Sequence, residues 1–279
     1  MKPAPFDYVR AASVAEAVSA LAGDPGAKVL AGGQSLVPLL SMRLAAPSLL
    51  VDINEVPGLA DVTVEETGVR VGALARHAAV LDSDDVRRVQ PLVSLALAHV
   101  AHATIRNRGT TVGSLVHADA AAEMPVVLRL LGGSVEVEGS AGRRTIAADD
   151  LYLGPLESSL AHDEVAVSAL FPALAPGAGV AFDEIARRHG DYAMAGAAAL
   201  VDGDAVRVGY LSVSDVPTVV DLTGVPDDEL GEAALARLEP MDDIHATATY
   251  RAQLVRVLTA RVVAAARSHA AAHDQQEAR

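Results

Sequence analysis

Two glycine-bearing segments offer the clearest chemistry in this chain: Ala31-Gly32-Gly33-Gln34-Ser35-Leu36 and Gly109-Thr110-Thr111-Val112-Gly113-Ser114. Each follows a short apolar or mixed stretch and supplies small residues and hydroxyls where a backbone could close around a phosphate. Neighbouring glycines reach positive φ at little cost, so successive N–H groups can converge on one anion. The chain has only two lysines, Lys2 and Lys28, so a phosphorylated ligand would depend on amide dipoles and a few arginines. Gly32-Gly33 alone reads as an ordinary turn before it reads as a cofactor loop. The second segment narrows that gap without closing it.

Other chemistry is thin. His99 and His102 share a helical spacing, and His117 lies near Asp119, so a metal site can be drawn. A solvated helix face and a loop histidine bonded to its neighbours is the plainer account and is preferred. Gly-x-Gly-x-x-Gly, Gly-x-x-x-x-Gly-Lys, Gly-x-Ser-x-Gly and His-Glu-x-x-His are all missing. That disfavours a Rossmann hydride enzyme, a P-loop NTPase, an α/β-hydrolase and a zincin.

Composition narrows the classes further. The 279 residues carry a net charge of −14, from 36 acidic against 22 basic side chains. Without a basic run, nucleic-acid binding is disfavoured, because it rests on phosphate neutralisation. Disulfides, thiolate nucleophiles and cysteine-held iron–sulfur clusters are excluded by the absence of cysteine. Neither a secretory signal nor an apolar run near the roughly 20 residues of a membrane span is seen, which points to a cytoplasmic protein.

The elements that must position these residues can be read in outline. Ser13-Val14-Ala15-Glu16 has the form of a capping box, and Val14, Ala17, Val18 and Leu21 share a helical face that Gly23 closes. A strand over 28–31 leads into the first glycine segment. Pro38 suits the first turn of a helix over 37–44, and 48–53 reads as a strand. A strand, a glycine turn and a helix in that order form a phosphate-binding layout. Residues 62–65 and 69–71 flank Glu66-Thr67-Gly68 as a hairpin, while 91–101 and 120–131 read as helices. Strands follow over 134–138, 144–146 and 165–171, then a linker over 172–179. Three further strands (180–187, 196–202, 205–212), helices near 227–237 and 244–266, and a polar tail over 271–279 complete the chain.

Taken with Asn107-Arg108-Gly109-Thr110 and His117-Ala118-Asp119, the glycine segments resemble the FAD-binding medium subunit of molybdenum hydroxylases. That family includes carbon monoxide, xanthine and nicotine dehydrogenases. Thr104-Ile105-Arg106-Asn107-Arg108-Gly109, Phe171-Pro172, Arg187-Arg188-His189-Gly190-Asp191-Tyr192-Ala193 and Tyr250-Arg251 carry the resemblance along nearly the whole chain. It implies an α+β fold, with a PCMH-type (vanillyl-alcohol-oxidase-like) FAD-binding domain in two subdomains, 1–56 and 57–175. A small C-terminal domain, 176–279, would hold a three-stranded antiparallel sheet and helices.

The resemblance also implies a site. Gly32, Gly33, Gln34, Ser35 and Leu36 would bind the FAD diphosphate through backbone amides, with Thr110, Thr111, Gly113 and Ser114 along the cofactor and His117 beside it. Glu123 would accept hydrogens from sugar hydroxyls, and Val167 would meet the adenine through its backbone. Tyr192 would lie near the isoalloxazine, or else be a core aromatic. The family usually has Val-Gly-Gly-Ser where this chain has Thr111-Val112-Gly113-Ser114. A β-branched residue then falls where positive φ is expected, and strain would follow. Ala120 stands in place of the usual proline.

By the same resemblance the chain would be an electron-transfer flavoprotein subunit, an oxidoreductase component with no catalytic residue of its own. Its partners would be a large molybdopterin-binding subunit and a small iron–sulfur subunit, in a heterotrimer that is often doubled. FAD would pass electrons from the clusters to an external acceptor: quinone, NAD or oxygen. The cysteine-free sequence fits this division, since the clusters must sit elsewhere. Two readings remain beside it: a stand-alone flavin oxidoreductase, and a flavin-free assembly module.

Overall fold

The computed structural model describes residues 2–277, with side chains through Ala272. The chain opens with β1 (Asp7–Arg10), α1 (Val14–Gly23), β2 (Lys28–Leu30), α2 (Leu36–Met42) and β3 (Leu49–Asp52). The three strands form a parallel sheet in the order β1-β3-β2. Ser13 caps α1 by accepting from the Glu16 amide, while the Glu16 carboxylate accepts from the Ala12 amide at 2.8 Å. Ala17, Val18 and Leu21 are buried, and burying a leucine such as Leu21 contributes about 2 kcal/mol. β1 is absent from the sequence expectations for a physical reason. All four of its residues are exposed, so it shows no alternation. Its pairing to β3 is reinforced by the Tyr8 hydroxyl, which donates to Asp52 at 2.5 Å.

The middle of the chain runs β4 (Val62–Glu65), β5 (Gly68–Gly72), α3 (His77–Asp82), α4 (Asp84–Val89), α5 (Pro91–Leu97), α6 (Ala103–Arg106), α7 (Thr111–His117) and α8 (Glu123–Leu130). It continues through β6 (Ser134–Gly139), β7 (Gly142–Ala147), α9 (Ala148–Leu151), β8 (Tyr152–Gly154), β9 (Glu157–Ser158) and β10 (Val165–Pro172). The main sheet is antiparallel, in the order β4-β5-β10-β6-β7. Central β10 is covered on both faces, which explains why, Ser168 apart, it is apolar from Val165 to Pro172. α1 packs against β10 and β6, so Leu21 shares a core with Val135 and Phe171.

The last unit holds β11 (Gly179–Ala186), β12 (Ala193–Asp202), β13 (Ala205–Leu211), β14 (Thr218–Asp221), α10 (Leu230–Leu235) and α11 (Ala248–Glu277). Its sheet has four strands in sequential order, where three were expected. β14 is a short edge strand after Pro217, without the alternation that marks its neighbours. Successive residues of β11 face opposite ways. Val180 and Phe182 join the core shared with α5 and α8, while Ala181 and Ile185 join the core under α11. Arg251, only 4% exposed, donates to the Met194 and Met241 carbonyls and to Asp243 at 2.6 Å, fastening α11 to β12. The expected 91–101 helix stops at Leu97, and the final helix runs to Glu277; residues 278–279 of the polar tail lie outside the described residues.

Candidate cofactor-binding site

The first glycine segment leaves the C-terminal end of β2 and is held there by its neighbour strand. The Ile53 amide donates to the Leu30 carbonyl, and Asn54 Nδ2 donates to the Ala31 carbonyl at 2.8 Å. Gly33 has φ +72°, a left-handed conformation that glycine adopts without strain. Gln34 folds back so that Nε2 donates to the Gly32 carbonyl, and Ser35 precedes α2 without making a side-chain cap. Among the described residues, the amides of Gly32, Gly33, Gln34, Ser35 and Leu36 meet no acceptor. The first three of these residues, Gly32, Gly33 and Gln34, border a groove of about 550 Å³ that Asn54 and Arg108 also line. Consecutive donors in a bend that opens on a groove form a cradle suited to an anion.

The second segment is a helix start instead of a turn. Thr110 is the N-cap of α7, its Oγ1 accepting from the Gly113 amide at 3.2 Å, and Val112 is buried within the helix. Val112 therefore has no positive φ, and the anticipated strain does not arise. The Thr111 amide donates to the Ala75 carbonyl, and Thr111 Oγ1 lies 3.2 Å from His77 Nδ1. Burial and then the Arg106 charge push His77 down to about 4, which keeps the imidazole neutral at pH 7.

The two segments meet. A β-carbon at Gly32 would lie 2.4 Å from the Arg108 carbonyl oxygen and 2.8 Å from the Gly109 Cα. Arg76 spans the joint, donating to the Arg108 carbonyl at 2.6 Å and to Asn54 Oδ1 at 2.7 Å. Asp52 completes the network by accepting from the Asn54 amide and Nδ2. The sequence reading missed Asn54, Arg76 and His77, and quoted Arg108 within a motif without giving it a role of its own. Asn54 had one usable signal, a polar residue just past the carboxyl end of a parallel strand.

From Thr111 to His117, α7 extends about 10 Å. Ser114 lies midway along it and His117 in its last turn. Beyond, Ala118 turns left-handed at φ +56° and its carbonyl accepts from Leu156. Glu123 opens α8; burial and then the charge of Glu184 push its carboxyl up to about 8. The residue as a whole is partly exposed. Tyr192 is 59% exposed, so the core-aromatic account fails. Crowding of its hydroxyl, then the charges of Asp119 and Glu123, raise it to about 12.

Val167 lies in β10, a strand that packs on α7, at the register shift between Ala166 and Ser168, and its carbonyl accepts from Ala73 at 2.9 Å. The helical pairing of His99 with His102 is not formed. His99 lies beyond α5, and His102 is the N-cap of α6. Among the described residues no three histidine, aspartate or glutamate side chains gather as a metal site, and no helix is long and apolar enough to cross a membrane.

A cradle of acceptor-free amides where a parallel strand meets a helix, mated to a second helix start, is an arrangement suited to an anionic group. Residues 4–174 match the family described as the FAD binding domain in molybdopterin dehydrogenase, and the chain belongs to that family. It is 43% identical, over 95% of its length and 96% of the relative's, to the 6-hydroxypseudooxynicotine dehydrogenase complex subunit alpha of Paenarthrobacter nicotinovorans. The nicotine 6-hydroxylase medium subunit of the same organism is 40% identical, with 94% and 98% covered. Among solved structures, carbon monoxide dehydrogenase from Hydrogenophaga pseudoflava, lacking the Mo-pyranopterin moiety of its cofactor, superposes with a TM-score of 0.91 at 31% identity. That match covers 96% of this chain and 99% of the other. The chain is thus a flavoprotein component of an oxidoreductase, with FAD as its cofactor.

Proposed function

We propose that this chain is the FAD-binding electron-transfer subunit of a molybdenum-containing hydroxylase. It takes electrons from iron–sulfur clusters in a small subunit and delivers them to an external acceptor such as a quinone, NAD or oxygen. The observation that carries this reading is the run of five acceptor-free amides from Gly32 to Leu36. These hold the diphosphate, and Ser114 and His117 follow the cofactor along α7, beside Thr110, Thr111 and Gly113. Glu123 meets a sugar hydroxyl, Val167 the adenine, and Tyr192 the isoalloxazine edge. When bound, the flavin accepts electrons singly and releases them in pairs; the protein binds, orients and shields it.

The division of the chain goes with this role. Residues 1–56 and 57–175 are the two halves of a PCMH-type flavin domain, and 176–279 form the C-terminal domain. A molybdopterin-binding large subunit and an iron–sulfur small subunit complete a heterotrimer, doubled in the cytoplasm. With no cysteine, this chain depends on the small subunit for its electrons.

The test is direct. The purified chain is titrated with FAD by calorimetry, and its visible spectrum is recorded. Saturable uptake of one FAD and a yellow protein are expected, with no substrate-dependent bleaching until partner subunits are added. A chain that takes up no FAD defeats the proposal, and bleaching by the isolated chain favours a self-contained enzyme.

A further inference from the structure

The segment between α5 and α6 clasps β11, and the turn that joins it to β12, at two places. At the first, His99 Nδ1 lies 3.4 Å from Glu184 Oε1, and the His99 ring stands 5.1 Å from that of Phe182 on the same strand. The Glu184 side chain is only 5% exposed, and its Oε2 is buried without a hydrogen-bond partner. At the second, a β-carbon on Gly190 would fall 2.5 Å from His102 Cε1 and 3.0 Å from the Ala101 carbonyl oxygen. Arg106 holds the segment in shape, donating to the Val100 and Ala101 carbonyls at 2.8 and 3.0 Å. Between the two contacts the β11–β12 pairing shifts register at Ile185/Ala186, and the exposed Tyr192 ends the turn just past Gly190.

The charge balance at the first contact depends on one titratable ring. Among the described residues, no arginine or lysine pairs with Glu184, so its cation is His99 when that ring carries two protons. Two further carboxyls act on the ring, Glu123 from α8 and Asp183 from β11, and Asp183 has its own partner in Arg261 of α11 at 3.3 Å. Asp119 acts in turn on Glu123. The other nearby groups are engaged or exposed. Arg187 meets Asp191 at 3.6 Å within the turn, and Arg188 and His189 are exposed. Arg87 and Arg88 of α4 pair with Asp84 and Asp85, and His77 of α3 lies against Thr111. Removing one charge of a buried pair leaves the other enclosed and uncompensated, which is strongly destabilising.

We propose that His99 and Glu184 form a pH-operated latch: the doubly protonated ring holds the β11–β12 turn and Tyr192 in place, and on losing a proton it lets the turn loosen. The consequence for the flavin rests on the reading of Tyr192 as a neighbour of the isoalloxazine. On that reading, the latch sets how tightly the site is shut. Contact with Glu184 first, then the charges of Glu184, Glu123 and Asp183, raise His99 above its ordinary 6.5 against the effect of burial. A raised histidine contributes its stability in full below about pH 6.5, and the contribution fades as the pH climbs past the folded value. The latch is therefore closed on the acidic side and opens on the alkaline side.

The experiment follows amide exchange of the full chain by mass spectrometry from about pH 6 to about pH 9, corrected for the intrinsic pH dependence of exchange. Protection of residues 98–102 and 184–192 should fall about tenfold across that range, while β10 keeps its own. Glu184→Gln removes the enclosed charge, so its protection should be level with pH. His99→Gln has no cation to lose and should be loose at both ends of the range. A step that survives in Glu184→Gln, or no step in the unaltered chain, overturns the proposal. If neither variant folds, NMR of the unaltered chain decides. The histidine ring in contact with Phe182 should titrate with a midpoint above 6.5, and a midpoint at or below that value overturns the latch. With FAD bound, quenching of the flavin by iodide should increase through the same step. Unchanged quenching beside an intact exchange step removes Tyr192 from the flavin and leaves the latch standing. No FAD uptake at any pH defeats the broader functional reading instead.

Discussion

Gly32 lies against the main chain of Arg108 so closely that a β-carbon would stand 2.4 Å from the Arg108 carbonyl oxygen. The contact joins two segments distant in sequence into one wall of the groove. Gly33 needs its lack of side chain for conformation, at φ +72°, whereas Gly32 needs it for room. Gly32→Ala should therefore push the segments apart. A stability loss of about 1–3 kcal/mol is expected, because the neighbours it would meet are backbone atoms that cannot swing aside. FAD affinity should fall at least about tenfold, the equivalent of about 1.4 kcal/mol. Paired denaturant melts and FAD titrations check both, and an unchanged FAD affinity would separate the contact from binding.

Arg76 is the tie across that joint. Replacing it with methionine keeps the aliphatic stem but removes the donors to the Arg108 carbonyl and Asn54 Oδ1. Hydrogen bonds from a charged donor are worth about 2 kcal/mol each, so a loss of that order is expected in urea unfolding. The amide exchange of residues 32–36 should rise at the same time. Faster exchange confined to some other region would argue against a tie.

The Arg251 clamp gives a pH signature at the acidic end. Although burial works against it, the bond from Arg251 and the Ala246 and His245 amides hold Asp243 at about 2, below its ordinary 3.8. The folded chain thus releases this proton more readily than the unfolded one. Its contribution is complete above about pH 4 and disappears as the pH falls toward about 2. Asp243→Asn should melt earlier than the parent at pH 7, and the gap should narrow across that window. A gap that stays constant with pH assigns the effect to something other than charge.

Glu123 has the opposite sign. Its carboxyl titrates near 8 in the folded chain against an ordinary 4.5. The stability it contributes is complete below about pH 4.5 and is lost as the pH rises through about 8. Glu123→Gln should accordingly gain on the parent across that range in thermal melts without FAD, then run parallel to it. Parallel melting curves throughout would mean that the carboxyl is not held neutral.

How far the sequence reaches depends on what fixes each feature. The Ser13 capping box, the hairpin around Glu66-Thr67-Gly68 and the apolar run of β10 are local, so they can be read from composition and period. The glycine segments were visible as residue types, yet their relationship was not. Gly109 to Ser114 looked like a turn because glycine and threonine suit turns, but Thr110 caps a helix whose buried side is Val112 and Leu115. The short helices α3 and α4 escaped notice, each being only 6 residues long. Asn54 and Arg76 matter only because folding sets them beside Arg108, and no spacing along the chain announces that. Glu184 is the clearest case: an acidic residue in a strand looks solvent-facing until the neighbouring helices are in place.

The central place of β10 has a consequence for synthesis. β5 and β6 both pair with it and not with each other, so the sheet has no middle until residues 165–172 have left the ribosome. Until then the emerging polypeptide carries two hairpins with bare inner edges, a state open to mispairing. A slow stretch of translation, or a chaperone acting there, would bear most heavily on the yield of this subunit.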